Sequence, residues 1–156
     1  MQAEAVARAC TFKAAIVAAD EREEKASDGR ALLNLGHTFA HALEAEYGYD
    51  GGLLHGEAVA IGLGLAFDLS EKLEICPRGA AARVKRHIAA CGMAAELHEL
   101  GRPFSAAGLV AHMQHDKKMR DGRLAFVLAR DIGDAFTSRD VPPDAVLSVL
   151  RDAGCS

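Results

Sequence analysis

His37, His41 and His55 are the residues of this sequence whose type and spacing could do chemistry. His37 and His41 stand four apart, so on a helix their imidazoles project from one face, one turn apart. Two ligands for one ion, or a ligand beside an acid/base group, need that arrangement. His55 follows Gly48, Gly51 and Gly52, glycines that let the chain turn back and bring a third imidazole toward that face from the opposite side. A lone histidine on a half-apolar helix is usually a packed residue with one satisfied nitrogen. Three within 19 residues, with Asn34 and Glu44 on neighbouring turns, point toward a metal or acid/base site. No cysteine partner or third helical ligand completes a zinc pattern, so spacing alone leaves the packed and the functional reading open.

The element that must carry the pair is a helix from Arg30 to Tyr47, with Leu32, Leu33, Phe39 and Leu43 as its apolar surface. Arg30, Asn34, His37 and His41 fall at steps of four, three and four residues and form a polar stripe along one side. A guanidinium, an amide and two imidazoles suit an anionic, hydroxylated ligand. A second helix, Glu57 to Leu73, has small residues four apart, Gly56, Ala60 and Gly64, with Ala58, Gly62 and Ala66 one face over. Helices lined in this way approach a neighbour closely, which makes this the expected central helix. Glu57 at its start fits the helix dipole as well as it fits support of a ligand.

The remaining elements read more simply. Gln2 to Ala19 is predicted as a helix with Val6, Cys10, Ile16 and Val17 as apolar positions and Lys13 among them. The charged stretch from Asp20 to Gly29 reads as a solvated loop. After Pro77, Arg78 to Cys91 is an amphipathic helix with Val84, Ile88 and Cys91 inward, His87 on the surface and Gly92 as its C-terminal cap. Ser105 is a good N-cap for a helix through Gln114, which delivers His115, Asp116, Lys117 and Lys118. Such a run is either solvated or able to grip a phosphate or carboxylate. Beyond a turn at Asp121 and Gly122, Leu124 to Leu128 and Ala135 to Thr137 form a predicted hairpin around Asp131 to Asp134. Pro142 and Pro143 open a last helix, Asp144 to Asp152, which buries Val146, Val149 and Leu150. The expected fold is therefore mainly α, a multi-helix domain with one small β-hairpin.

Composition excludes several classes. At 156 residues the chain is one domain, able to bury a core without staples, and with 50% hydrophobic but only 5% aromatic residues that core is aliphatic. A net charge of −4 with no basic block argues against nucleic acid. The longest uncharged apolar run, Ala58 to Phe67, is ten residues, well below the roughly 20 of a membrane span. Cys10, Cys76, Cys91 and Cys155 are scattered, and the N-terminus has no basic start or apolar core; reduced thiols and a cytoplasmic protein are expected.

Asn34-Leu-Gly-His-Thr-Phe-Ala-His-Ala-Leu-Glu, followed by Leu54-His-Gly-Glu-Ala-Val-Ala-Ile-Gly, resembles the signature of the C-terminal domain of the 3-dehydroquinate synthase family, enzymes of the shikimate pathway. Lys13-Ala-Ala-Ile-Val-Ala-Ala-Asp-Glu-Arg-Glu upstream and His115-Asp-Lys-Lys downstream match in order and spacing. Nearly the whole chain is covered, and the motifs are specific. Ala40 departs from a family glycine by one methyl group.

By that resemblance, His37 and His55 bind a divalent metal, zinc or cobalt, and His41 assists proton transfer near the substrate phosphate. Lys13, Arg30, Asn34 and a lysine of the pair Lys117 and Lys118 correspond to the substrate-binding set, with Lys117 favoured. Family members convert 3-deoxy-arabino-heptulosonate 7-phosphate to 3-dehydroquinate by transient oxidation with NAD, loss of phosphate, re-reduction and aldol closure. The metal polarises the oxidised carbon, cationic side chains hold the phosphorylated keto acid, and much of the catalysis comes from fixing a flexible substrate in one pose. The family's N-terminal Rossmann-like NAD domain has no counterpart among these residues, and no Gly-x-Gly-x-x-Gly string occurs. The family's third metal ligand, a Glu in a Glu-Val-Ile-Lys-Tyr-Gly string, belongs to that missing half. The expectation is a C-terminal part of the enzyme, or one half of a split enzyme, without synthase activity alone and homodimeric when complete. Glu21, Glu23 and Glu57 are candidate substitute ligands in the isolated domain. Two alternatives stand beside this: another sugar phosphate cyclase or metal-dependent polyol dehydrogenase of the same fold, or a non-catalytic metal- or partner-binding helical module.

Overall fold

Glycines decide where the helices of this chain begin, end and cross. The computed structural model describes residues 2–22, 29–48, 52–115 and 124–156. In order, these form α1 (Gln2–Ala19), a 3-10 turn (Arg30–Asn34), α2 (His37–Tyr47), α3 (His55–Lys72), α4 (Ala80–Ala90), a second 3-10 turn (Leu97–Leu100), α5 (Ala106–His115), strands β1 (Phe126–Asp131) and β2 (Asp134–Ser138), and α6 (Pro143–Asp152). The two strands pair antiparallel across the turn at Ile132 and Gly133, so the domain is mainly helical with one small ribbon.

α3 is the central helix: α2, α4, α6 and β1 all pack against it. Its small residues allow this. A Cβ placed on Gly36 would meet the backbone of Leu63 at 2.6 Å and of Gly62 at 2.8 Å, and one placed on Gly62 would collide with the Gly36 carbonyl. The chain before α2 thus lies directly on the α3 backbone, an approach only glycine on both sides permits. Gly36 also sits at φ 82°, in the left-handed region.

That contact breaks the single helix expected from Arg30 to Tyr47. Arg30–Asn34 forms a separate 3-10 turn, Gly36 reverses the backbone, and α2 starts at His37. The periodic stripe is therefore interrupted between Asn34 and His37. At 11 residues α2 is too short to persist alone, and burial of Phe39 and Leu43, about 2 kcal/mol each, holds it in place. The same core takes Ile61, Leu65 and Leu69 from α3, Leu109 and Met113 from α5, Phe126 and Leu128 from β1, and Val146, Val149 and Leu150 from α6. Ser70, fully buried on α3, donates to the Ala66 carbonyl at 2.7 Å and accepts the Ala129 N–H at 3.0 Å, tying the ribbon to the central helix.

Some other local expectations are met and some are not; α4, for one, opens at Ala80 rather than Arg78, after Gly79 in the left-handed region. Ser105 caps α5 by accepting the Gly108 N–H at 3.3 Å, and α6 opens on Pro143. Cys91, expected inward, is exposed because the last turn of α4 ends at the surface; Ile88 is buried and Val84 half-buried. α1 forms over the expected span but buries no residue, leaving Val6 and Phe12 about two-thirds exposed and its apolar positions without a common packed face. All four cysteines are free, and among the described residues no helix is long and apolar enough to cross a membrane.

On the far side of α3, Lys85 of α4 lays its stem over Gly64 and places Nζ 2.7 Å from Asp68 and 3.2 Å from Glu96. Burial pushes the Asp68 carboxyl up in spite of Lys85. Burial alone would lower Lys85, but Asp68 and then Glu96 outweigh it and raise its pKa.

Gly62→Ala is expected to destabilise the domain by about 3 kcal/mol or more, because its Cβ meets backbone that cannot move aside without parting the helices. Gly56→Ala, with nothing within 4 Å of its added Cβ, should change stability by no more than about 0.5 kcal/mol. Urea denaturation of both variants checks the contrast.

Candidate metal and substrate site

The crossing of α2 and α3 brings three imidazoles together. His37 is the first residue of α2 and His55 the first of α3, while His41 stands one turn into α2. The ring centroids of His37 and His55 are 5.5 Å apart, those of His37 and His41 5.7 Å, and those of His41 and His55 6.3 Å. Imidazoles sharing one tetrahedral zinc through bonds of about 2.0 Å have ring centres about 5 Å apart, so His37 and His55 stand within a small side-chain adjustment of a shared ion. Among the described residues no group of three or more His, Cys, Asp or Glu is set to hold a metal. The donor set on hand thus fits two imidazole ligands that need a further donor. Its softness and nitrogen character suit zinc or cobalt over magnesium or calcium.

Each histidine is held differently. His37 Nδ1 lies 3.4 Å from the Leu35 carbonyl, and His37 and His41 are both half-buried. His55 is more open, with its side chain 56% exposed, and its Nδ1 lies 3.0 Å from Glu44 Oε1 on α2. Glu57 does not face the rings as a ligand would: its carboxylate accepts the Leu54 N–H at 3.0 Å and caps the start of α3. That cap fixes the helix end on which His55 sits.

The other predicted site residues that the structure describes sit on the elements that precede α2. Asn34 closes the 3-10 turn just before Gly36 and is half-buried; Arg30 opens the turn and is exposed. Lys13 is exposed on α1, which packs against that turn. Lys117 and Lys118 lie outside the described residues, as do Glu23 and the Asp121–Gly122 turn.

One residue was missed. Asp20, read as part of a solvated loop, is buried; its Oδ2 accepts the Arg30 backbone N–H at 3.0 Å, and the Arg30 guanidinium donates to the Glu21 carbonyl at 3.3 Å. Asp20 thereby ties the end of α1 to the start of the 3-10 turn and sets where Arg30 begins. Nothing in a run of charged residues marks one of them as buried; the signal available was that Asp20 falls within the family-like string that starts at Lys13.

The fold defines a class. A solved structure of 2-epi-5-epi-valiolone synthase from Streptomyces hygroscopicus, with NAD+ and Zn2+ bound, matches with a TM-score of 0.64 and 27% identity over 77% of this chain and 32% of that one. A 2-deoxy-scyllo-inosose synthase complexed with carbaglucose-6-phosphate, NAD+ and Co2+ matches with a TM-score of 0.58 and 21% identity over 76% of this chain and 32% of that one, a likeness of fold alone. The chain shares its fold with the helical part of these synthases, the dehydroquinate synthase-like fold.

The sequence narrows it further. The family described as 3-dehydroquinate synthase C-terminal matches residues 1–119. Proteins named 3-dehydroquinate synthase from Cereibacter sphaeroides and Ruegeria pomeroyi are each 53% identical over 150 and 151 residues, 96% of this chain in both cases. The chain belongs to the 3-dehydroquinate synthase family, and it spans about 40% of the length of those relatives.

Asp20→Ala should cost about 1–3 kcal/mol, since it strands the Arg30 N–H near a buried position, while Asp20→Asn, which keeps an acceptor oxygen, should cost less. Thermal unfolding of the two variants tests the order.

Proposed function

We propose that this chain is the C-terminal metal- and substrate-binding part of a 3-dehydroquinate synthase. It would act with an N-terminal NAD-binding half, in the same chain or as a separate polypeptide, in a homodimer, on 3-deoxy-arabino-heptulosonate 7-phosphate. The observation that carries this reading is the convergence of His37, His41 and His55 on one crossing, in a chain half identical to synthases over nearly its full length.

His37 and His55 would hold a divalent metal, zinc or cobalt, the third donor coming from the N-terminal half. When bound, the metal supplies Lewis-acid polarisation of a substrate oxygen and NAD supplies a reversible hydride acceptor. The chain's own residues do the rest. His41, beside the two ligands and half-buried, holds or moves a proton at an imidazole nitrogen near the departing phosphate. Arg30, Lys13 and one of Lys117 and Lys118 bind the substrate's phosphate and carboxylate as charge-assisted donors, and Asn34 offers an amide to its hydroxyls. Binding at several points fixes the pose of a flexible acyclic sugar before ring closure.

The same fold serves cyclases of other sugar phosphates, so substrate identity is the sharpest test. Purified chain is incubated with an N-terminal half from a close relative, NAD+, Zn2+ and the heptulosonate phosphate, and phosphate release is followed. The reading predicts release by the combination and none by the chain alone, with His37→Ala weakening metal binding and lowering activity together. Release by the isolated chain, or turnover of a different sugar phosphate in preference, would contradict it.

A further inference from the structure

Glu44 is the one carboxylate of α2 that meets a candidate ligand. It lies one turn beyond His41, its side chain is only 17% exposed, and its Oε1 is 3.0 Å from His55 Nδ1. His55 needs such an anchor. It is the first residue of α3 and its side chain is more than half exposed, with the neighbouring His37 and His41 rings on one side, so packing alone does not fix the ring. An imidazole free to rotate and to exchange tautomers presents a given nitrogen lone pair only part of the time. A carboxylate that accepts Nδ1–H removes both freedoms at once, leaving Nε2 as the lone-pair nitrogen.

We propose that Glu44 is a positioning residue for His55: it locks the Nδ1–H tautomer and the ring direction, so that Nε2 is ready for the metal shared with His37. This rests on the reading of His55 as a ligand. Glu44 itself does not coordinate; its work is done through the imidazole. The pair spans α2 and α3, so the helix crossing that brings the rings together also delivers their orienting group. The second carboxylate along, Glu46, makes a separate bond to His112 of α5 at 2.9 Å and takes no part.

The test uses two readouts on the purified protein. Long-range nitrogen–proton NMR of the imidazoles, above their titration range and without metal, reports the tautomer. The expected result is Nδ1–H for His55 in the unmodified protein and in Glu44→Gln, whose amide oxygen still accepts, but the Nε2–H form in Glu44→Ala. Cobalt(II) titration, followed by its visible absorption, reports affinity: Glu44→Ala should weaken binding about 10–100-fold, Glu44→Gln much less, and Glu44→Ala should add nothing once His55→Ala is present. An unchanged His55 tautomer in Glu44→Ala overturns the proposal. So does equal loss in Glu44→Gln and Glu44→Ala that persists beside His55→Ala, because the carboxylate would then be a ligand. If instead the tautomer shifts as expected but His55→Ala leaves cobalt affinity unchanged, the ligand reading of His55 fails while the orienting bond stands.

Discussion

The backbone of Gly36 rests on the backbone of Gly62, and the site depends on that contact. It is a steric constraint before it is anything chemical. Two helices can cross this closely only where neither carries a side chain, and the crossing lies one residue before His37, at the start of α2. A methyl group on either glycine would separate the elements that bring His37, His41 and His55 within 5.5 to 6.3 Å of one another. The left-handed conformation of Gly36 adds the second requirement, a reversal that starts α2 in a new direction after the Arg30–Asn34 turn.

Around that crossing, polar groups fix ends and the aliphatic core fixes faces. Glu57 caps α3 just where His55 sits, Asp20 pins the turn that carries Arg30 and Asn34, and Glu44 holds the His55 ring. Each of these carboxylates is hydrogen-bonded to a group whose position matters to the candidate site. Behind them, Phe39 and Leu43 anchor α2 in the shared core, so the histidine face can remain polar and half-open.

Much of this was legible from residue order. The small-residue spacing of α3 marked the central helix, the glycines around residues 48 to 52 marked the return of His55 toward His37, and the family signature was readable from Asn34 to Gly62. The hairpin and α6 followed from alternation and from paired prolines. The break between Asn34 and His37 was not legible, because helical periodicity runs straight across it and only the tertiary contact at Gly36 overrides it. Burial of Asp20 and the orienting role of Glu44 were hidden for the same reason: charged residues look solvated until the partner from another element is known. The exposed apolar positions of α1 show the converse, a helix whose apolar residues fall at irregular spacing and of which none is buried.

The account stands or falls on whether the two first-turn histidines share an ion. X-ray absorption at the zinc edge of the metal-loaded protein reads the ligand shell directly. Two imidazole nitrogens at about 2.0–2.1 Å are predicted, falling to one in His37→Ala. A shell of oxygen or sulfur donors without imidazole scattering, or one unchanged by that substitution, would contradict it.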